Sequence, residues 1–316
     1  MIFDNNFHQK EINKMKVLIT GGAGLCGRDI APLFAKHYNY EIITTDIRKP
    51  DNDFPYLPCD IRNINEVDQI IKASGVDAII HLGTLQPGLG PADMSIDINV
   101  KGVCNILESA KNNGVKRVVF TSSVWAGSRG PNAEYQPIDE EIKPTYDDMY
   151  DITKHMGEEL CAYYHKMFGL NAIAFRFCGY DPIEGFNDNG DILWEKIDIL
   201  KLVGRYCGIG PSYKLTNAWD LTQAFKMAIE NDKYTHGLYL IGVGMPFVSE
   251  EAEALKNNPI TVYEKYYPGI SDFFKKIGFN VPNISFWYNT KKAKEQLGFS
   301  PKFTLQDIMR QYYENQ

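Results

Sequence analysis

Short apolar, β-branched runs recur along the first half of the chain, each separated from the next by a stretch whose apolar positions have helical spacing. Val17, Leu18 and Ile19 form the first run. They lead through Thr20 into a glycine cluster, after which the spacing suits a helix through Phe34. A second run spans 41–46 and ends on Asp46, and a third, short candidate precedes Asp60. The pattern then predicts a helix over 65–73, a strand over 76–82, a helix over 96–110 and a strand over 115–121. A helix over 150–168 and a strand over 172–177 complete the series. Strands this short, alternating with helices, pair in parallel, because a parallel neighbour is reached only through a crossover. Residues 15–180 therefore read as α/β, a doubly wound parallel sheet of the Rossmann kind.

After Phe177 the alternation lapses. Residues 180–211 are rich in Gly, Asp, Asn and Trp and hold one helical stretch over 192–203, which reads as a cap inserted where strand ends open toward a ligand. A helix over 220–230 and a strand over 237–243 return to the sheet, and 261–276, 290–297 and 305–313 read as helices. The expected organisation is a polar arm (1–14), a Rossmann domain (15–180, rejoined by about 217–245) and a smaller substrate-binding cap (181–216 and 246–316).

Composition narrows the partners. The 316 residues are 44% hydrophobic and 23% charged, as in a globular protein with a large core. Thirty-three Lys and Arg against 40 Asp and Glu leave a net charge of −7, so no overall basic field favours nucleic acid or an anionic membrane. No apolar run approaches the roughly 18 residues of a membrane span, and the opening residues lack the apolar stretch of a signal peptide, so the expectation is a cytoplasmic protein. Cys26, Cys59, Cys104, Cys161, Cys178 and Cys207 are scattered singly and read as reduced thiols. No cluster of His, Cys and carboxylates has zinc-like spacing, and no metal is expected.

Gly21, Gly24 and Gly27 follow a strand and open a helix in the spacing Gly-x-x-Gly-x-x-Gly. There the backbone must turn sharply, approach a pyrophosphate and pack its helix on the sheet, and a Cβ would obstruct each task. Amides at the helix start supply the anion site. A plain glycine turn would have the same composition; its position after the first strand favours the dinucleotide reading. Asp46 lies about twenty residues on, where a carboxylate accepts from both adenosine ribose hydroxyls and repels a 2′-phosphate. NAD is therefore favoured over NADP, although Arg48 stands nearby and a solvated strand-end acid is the alternative for Asp46. Asp60 could meet the adenine amino group.

Tyr150 and Lys154 stand four residues apart on one helical face. A nearby ammonium favours phenolate, which lets a tyrosine exchange protons near neutral pH. Tyr288 and Lys292 repeat the spacing, but only Tyr150 follows a strand ending in Thr121-Ser122-Ser123 and begins a helix that would lie beside the nucleotide site. Tyr288 reads as a surface or core-edge residue. His81 reads as satisfying core backbone.

In the order of these motifs the chain resembles an extended short-chain dehydrogenase/reductase of the NAD-dependent epimerase/dehydratase family. The likeness includes the 20–27 turn, Asp46, Asp60-Ile61, His81-Leu82-Gly83, the 99–102 segment, 120–123, Tyr150 to Lys154, Arg176-Phe177 and the late 297–301 segment. It implies Tyr150 as catalytic acid/base, Ser123 as hydrogen-bond partner of the reacting oxygen, and Lys154 as holder of the nicotinamide ribose that lowers the pKa of Tyr150. It implies an NAD site built from Gly21, Gly24, Leu25, Cys26, Gly27, Asp46, Ile47, Asp60, Ile61, Leu82, Gly83, Thr84, Asn99, Thr121, Tyr150, Lys154 and Phe177. Asn99 would orient the nicotinamide side indirectly or tie strand ends together. A homodimer through the helices flanking the catalytic strand is a further implication.

The departures bear on substrate. Ser123 is followed by Val124-Trp125 where the family's dehydratases carry Asp-Glu, which argues against dehydration. Cys178 stands where many nucleotide-sugar members carry an asparagine that seats the sugar diphosphate. Cys178 is thus a candidate substrate contact or a small filler, and Arg205 a candidate diphosphate clamp or a solvated cap residue. Three readings follow. The preferred one is a nucleotide-sugar epimerase with transient hydride transfer to bound NAD, an isomerase of carbohydrate metabolism. The second is an NAD-dependent oxidoreductase of a small free substrate, a uronic acid or a threonine-like amino-alcohol acid. The third, a non-catalytic dinucleotide sensor, is opposed by intact Ser123, Tyr150 and Lys154.

Overall fold

Strand β1 (Met15–Thr20) sends Val17 and Ile19 to one face of the sheet and Leu18 to the other, all three buried. The computed structural model describes residues 14–182, 185–187, 189–207 and 216–316, so the expected polar arm, except Lys14, and part of the expected cap fall outside the described residues. Strands β2 (Tyr40–Asp46), β3 (Tyr56–Pro58), β4 (Ala78–His81), β5 (Arg117–Ser123), β6 (Ala172–Phe177) and β7 (Gly237–Ile241) join β1 in one sheet of order β3-β2-β1-β4-β5-β6-β7. Every pairing is parallel. The order reverses between β1 and β4, which opens a crevice at the carboxyl ends of those strands.

Helices α1 (Gly27–His37), α2 (Ile64–Ser74), α3 (Ala92–Ile96), α4 (Gly102–Asn112) and α5 (Met149–Phe168) follow in chain order. After β6 come α6 (Ile199–Tyr206), α7 (Ala218–Glu230), α8 (Ala252–Asn257), α9 (Pro259–Tyr266), α10 (Ile270–Ile277) and α11 (Leu305–Glu314). Phe34 of α1 and Leu221 and Phe225 of α7 cover the Val17 face; Val67 of α2, Leu107 of α4 and Cys161 of α5 cover the Leu18 face. A third apolar cluster gathers Val124, Ile138, Ile142 and Cys178 with Leu202, Phe273, Trp287 and Phe303. Tyr288 belongs to it, its hydroxyl donating to the Ser128 carbonyl at 3.2 Å, so it is buried more deeply than the surface or core-edge position expected.

Three boundaries differ from the sequence pattern for local reasons. The cap helix expected over 192–203 begins only at Ile199, where the Asp198 carboxylate accepts from the Leu200 and Lys201 amides. The single helix expected over 261–276 is two, because Pro268 cannot continue α9 and Gly269 turns left-handed at φ +85°. In the 96–110 stretch, Asp97–Lys101 is wound as a π-turn that leads into α4.

The sheet ends outward in short or covered edges. Strand β3 has three residues, and beside β7 the Glu140 carboxylate accepts from the Leu240 amide at 2.7 Å. Helix α5 lies so close to β5 that a Cβ on Gly157 would stand 2.4 Å from the tip of the Phe120 ring. A Gly157→Ala substitution is therefore expected to destabilise the protein by about 1–3 kcal/mol through overpacking, read as a lower urea midpoint at unchanged slope.

Candidate active site

The backbone after β1 is shaped for close approach. Gly21 has φ +70°, and a Cβ there would lie 2.7 Å from the Gly83 amide nitrogen; one on Gly27 would lie 2.3 Å from the Gly21 carbonyl oxygen. The turn thus delivers the start of α1 to the crevice with its amides free of side-chain capping. Asp46 closes the far side: its carboxylate accepts from the Ala23 amide and the Arg48 amide, each at 3.1 Å, and so is oriented over the turn.

A cleft of about 770 Å³ runs along these strand ends. Its wall includes Gly21, Gly24, Leu25, Cys26, Gly27, Asp46, Ile47, Asp60, Ile61, Leu82, Gly83, Thr84, Thr121, Ser123, Tyr150, Lys154 and Phe177. Asp60 is bound by the Arg62 guanidinium, whose hydrogen bonds hold its carboxyl below the usual range. Asn99 stands behind the wall. Its side chain accepts from Thr84 and the Leu85 amide and donates to the Leu85 carbonyl and Thr153, tying the end of β4 to α5. That is the strand-tying alternative rather than a cleft contact.

Two expected substrate contacts lie elsewhere. Cys178 is fully buried in the third apolar cluster, so its thiol acts as the small filler; burial pushes it well up from its ordinary value. The Arg205 guanidinium is ion-paired to the buried Asp181 at 2.6 Å and is not part of the described cleft wall. Sequence patterning also missed Leu85, Gln86, Trp125 and Tyr180, which do line it. Leu85 and Gln86 sit on an irregular segment and Trp125 on a single 3-10 turn, all too short for periodicity, and Tyr180 enters because its hydroxyl donates to Asp29 of α1 at 2.5 Å.

The Tyr150 ring is half-buried on the second residue of α5, hydrogen-bonded to Ser123. Lys154, one turn on and buried, donates to the Thr121 carbonyl at 2.7 Å with its nitrogen 5.6 Å from the Tyr150 ring centroid. Burial pushes this lysine down to about 7. Burial also raises the Tyr150 phenol above its ordinary value, against the partial relief of the Ser123 hydrogen bond. Desolvation acts on both groups against their charged forms, so the expected lowering of the phenol by Lys154 is not met here. Cys26 faces the same pair from the start of α1, its thiol pushed up to about 12 by burial and Asp29, so it packs as a neutral side chain.

The neighbouring hydroxyl, Ser122, is committed below the cleft. It donates to Glu158 at 2.5 Å, and Glu158 receives the Arg176 guanidinium through two bonds of 2.8 and 2.7 Å. Ser123 is therefore the serine that faces the cleft. His81, the last residue of β4, is buried with its Nδ1 within 2.6 Å of the Thr20 hydroxyl, so its partner is a side chain rather than the core backbone expected.

The profile of the NAD dependent epimerase/dehydratase family matches residues 17–181. The chain belongs to that family. It is 28% identical over 228 residues to the mitochondrial L-threonine 3-dehydrogenase of Sus scrofa, covering 67% of this chain and 60% of the pig enzyme. Against the corresponding protein of Bos taurus it spans 49% of the length, so it covers only about half to three fifths of these relatives. Among solved structures, UDP-N-acetylglucosamine 4-epimerase from Bacillus cereus superposes with a TM-score of 0.64 at 20% identity, over 96% of this chain and 99% of the other. A mutated uronate dehydrogenase gives 0.64 at 21%, over 96% and 86%. At such identities the likeness speaks for the fold.

Burial pushes His81 from 6.5 down to about 3, so the folded state binds its proton less readily than the unfolded chain. The stability this confers is present above pH 6.5 and lost progressively as pH falls toward 3. The urea midpoint is expected to fall between pH 7 and pH 4, with a shallower dependence in His81→Phe; an equal slope in both proteins would contradict this.

Proposed function

We propose that this chain is an NAD-dependent oxidoreductase of a secondary hydroxyl, acting on a small free substrate of the uronic-acid or threonine-like kind. The reading is carried by Ser123, Tyr150 and Lys154 lining the same cleft as the glycine turn and Asp46. The residues fit the dinucleotide: the tight turn that opens α1 tolerates no Cβ at Gly21 or Gly27, which would meet the Gly83 amide or the Gly21 carbonyl, and Asp46 stands where an adenosine ribose would lie. Bound there, NAD supplies the hydride acceptor. Ser123 holds the substrate oxygen, Tyr150 takes the hydroxyl proton as phenolate, and Lys154 counters the charge on that phenolate. Trp125, edge-on to Tyr150, is the apolar group beside them and limits access of water to the reacting carbon.

The small-substrate reading gains on the nucleotide-sugar epimerase because a second diphosphate needs cations. Among the described residues of the cleft wall these are Arg48 and Arg62, at the adenosine end, and Lys154, beneath Tyr150. A single carboxylate needs only neutral donors such as Gln86 and Ser123. The epimerase reading keeps the support of the third apolar cluster, which we take as the substrate-binding cap and which is large for a small acid. The six free thiols accord with a reducing, cytoplasmic setting. No helix among the described residues is long and apolar enough to cross a membrane.

Met156, Tyr163 and Met167 lie along one side of α5 and are 44%, 51% and 56% exposed, an apolar stripe we assign to a homodimer. Met167→Glu is expected to shift the protein to monomer in sedimentation, and an unchanged mass would refute that assignment. A panel of uronic acids, threonine-like amino alcohols and nucleotide sugars tests the activity. A dehydrogenase forms NADH in step with substrate only when NAD is supplied, whereas an epimerase forms an isomer without net NADH. Tyr150→Phe is expected to lower turnover at least about 100-fold while NAD affinity stays near wild type. Wild-type turnover in that variant would remove the acid/base assignment.

A further inference from the structure

The start of α5 sets an electrostatic problem for a tyrosine that must become an anion. Asp147, Asp148 and Asp151 crowd around Tyr150 in the chain. Asp148 caps the helix, accepting from the Asp151 amide at 3.1 Å, and the Asp151 side chain is buried, accepting from the Asp147 amide at 3.0 Å. Acids suit a helix start, but each negative charge so near the phenol opposes phenolate.

Arg129 answers both carboxylates at once. Its Nε donates to Asp151 at 2.8 Å, and its Nη2 donates to Asp151 at 3.0 Å and to Asp148 at 2.6 Å, with Asp147 3.6 Å from Nε. The guanidinium carbon also lies 4.1 Å from the centroid of the Trp125 ring, and that ring meets Tyr150 edge-on at 6.2 Å. Trp125 lines the cleft; Arg129 is not among the described lining residues.

We infer that Arg129 is a positioning residue for Tyr150: it bridges the carboxylates on either side of the phenol, offsets their charge and backs the tryptophan that packs against the ring. The inference rests on the acid/base reading of Tyr150 and adds to it a device outside the substrate and cofactor contacts. The other groups facing Tyr150 are Ser123 from β5, Cys26 from the start of α1 and Lys154 on α5. None of them bonds Asp148 or Asp151 in the way Arg129 does. A buried Asp151 alone would require a partner for folding. The reach to Asp148 and the stacking on Trp125 go beyond that need.

The test is ultraviolet titration of the Tyr150 phenol with saturating NAD as the probe, each spectrum taken as the difference from the same protein carrying Tyr150→Phe. In Arg129→Gln the midpoint is expected to move up by about one unit, with NAD affinity within about twofold of wild type. Arg129→Lys is expected to restore most of the shift. Arg129→Gln combined with Asp151→Asn is expected to return the midpoint toward wild type, although the ion pair is gone. Should Arg129→Gln fail to fold, Asp151→Asn alone is expected to move the midpoint down. An unmoved midpoint in Arg129→Gln, a double variant as displaced as the single, or an unmoved Asp151→Asn would overturn the inference. If Tyr150→Phe turns over substrate like wild type, the acid/base reading itself fails, and that outcome is separate from all of these.

Discussion

The approach of α5 to β5 at Gly157 is the constraint on which the reacting groups depend. With no side chain at that position, the helix settles onto the Phe120 ring, and the same register puts the Lys154 nitrogen on the Thr121 carbonyl and Tyr150 beside Ser123. Farther along the helix, Glu158 is fixed by Arg176 of β6 and Ser122 of β5. A buried ion pair of this kind adds little net stability, but it permits only one placement of the helix over two strands. The precision of the site is therefore set from below, by packing and by a satisfied polar network, before any ligand contributes.

Burial has a cost in this arrangement. The groups that would work as ions, Tyr150 and Lys154, are both pushed toward their neutral forms, while Glu158 beneath them, against its burial, is held below its ordinary value by hydrogen bonds from His155 and Arg176. His81 is held neutral between Thr20 and Phe120 and does not compete for protons near neutrality. The helix spacing predicts a phenol made more acidic by Lys154, and burial of both groups opposes that effect.

Much of the fold and of the dinucleotide end was legible in the chain because its determinants are local. The glycine spacing, the acid closing β2, and the tyrosine and lysine one helical turn apart each record a short-range requirement of backbone or helix geometry. Where the reading diverged, the deciding contact was tertiary or rested on a single cap. Arg205 is ion-paired to Asp181, 24 positions earlier in the chain, and Cys178 is buried in the third apolar cluster. The Arg129 contacts join residues 19 and 22 positions apart across an irregular loop, a separation no periodicity marks. The helix start at Ile199 and the break at Gly269 follow from one cap and one Pro-Gly step, which smooth apolar spacing overruns.

The covered margin of β7 constrains how copies of the chain can meet. A strand arriving there would find the Leu240 amide already taken by Glu140, and at the opposite margin it would find only the three residues of β3. Neither rim presents the long ladder of open donors and acceptors that recruits a foreign strand. Growth of the sheet from one molecule into the next is thereby discouraged, which leaves helical surfaces as the places where association is least obstructed.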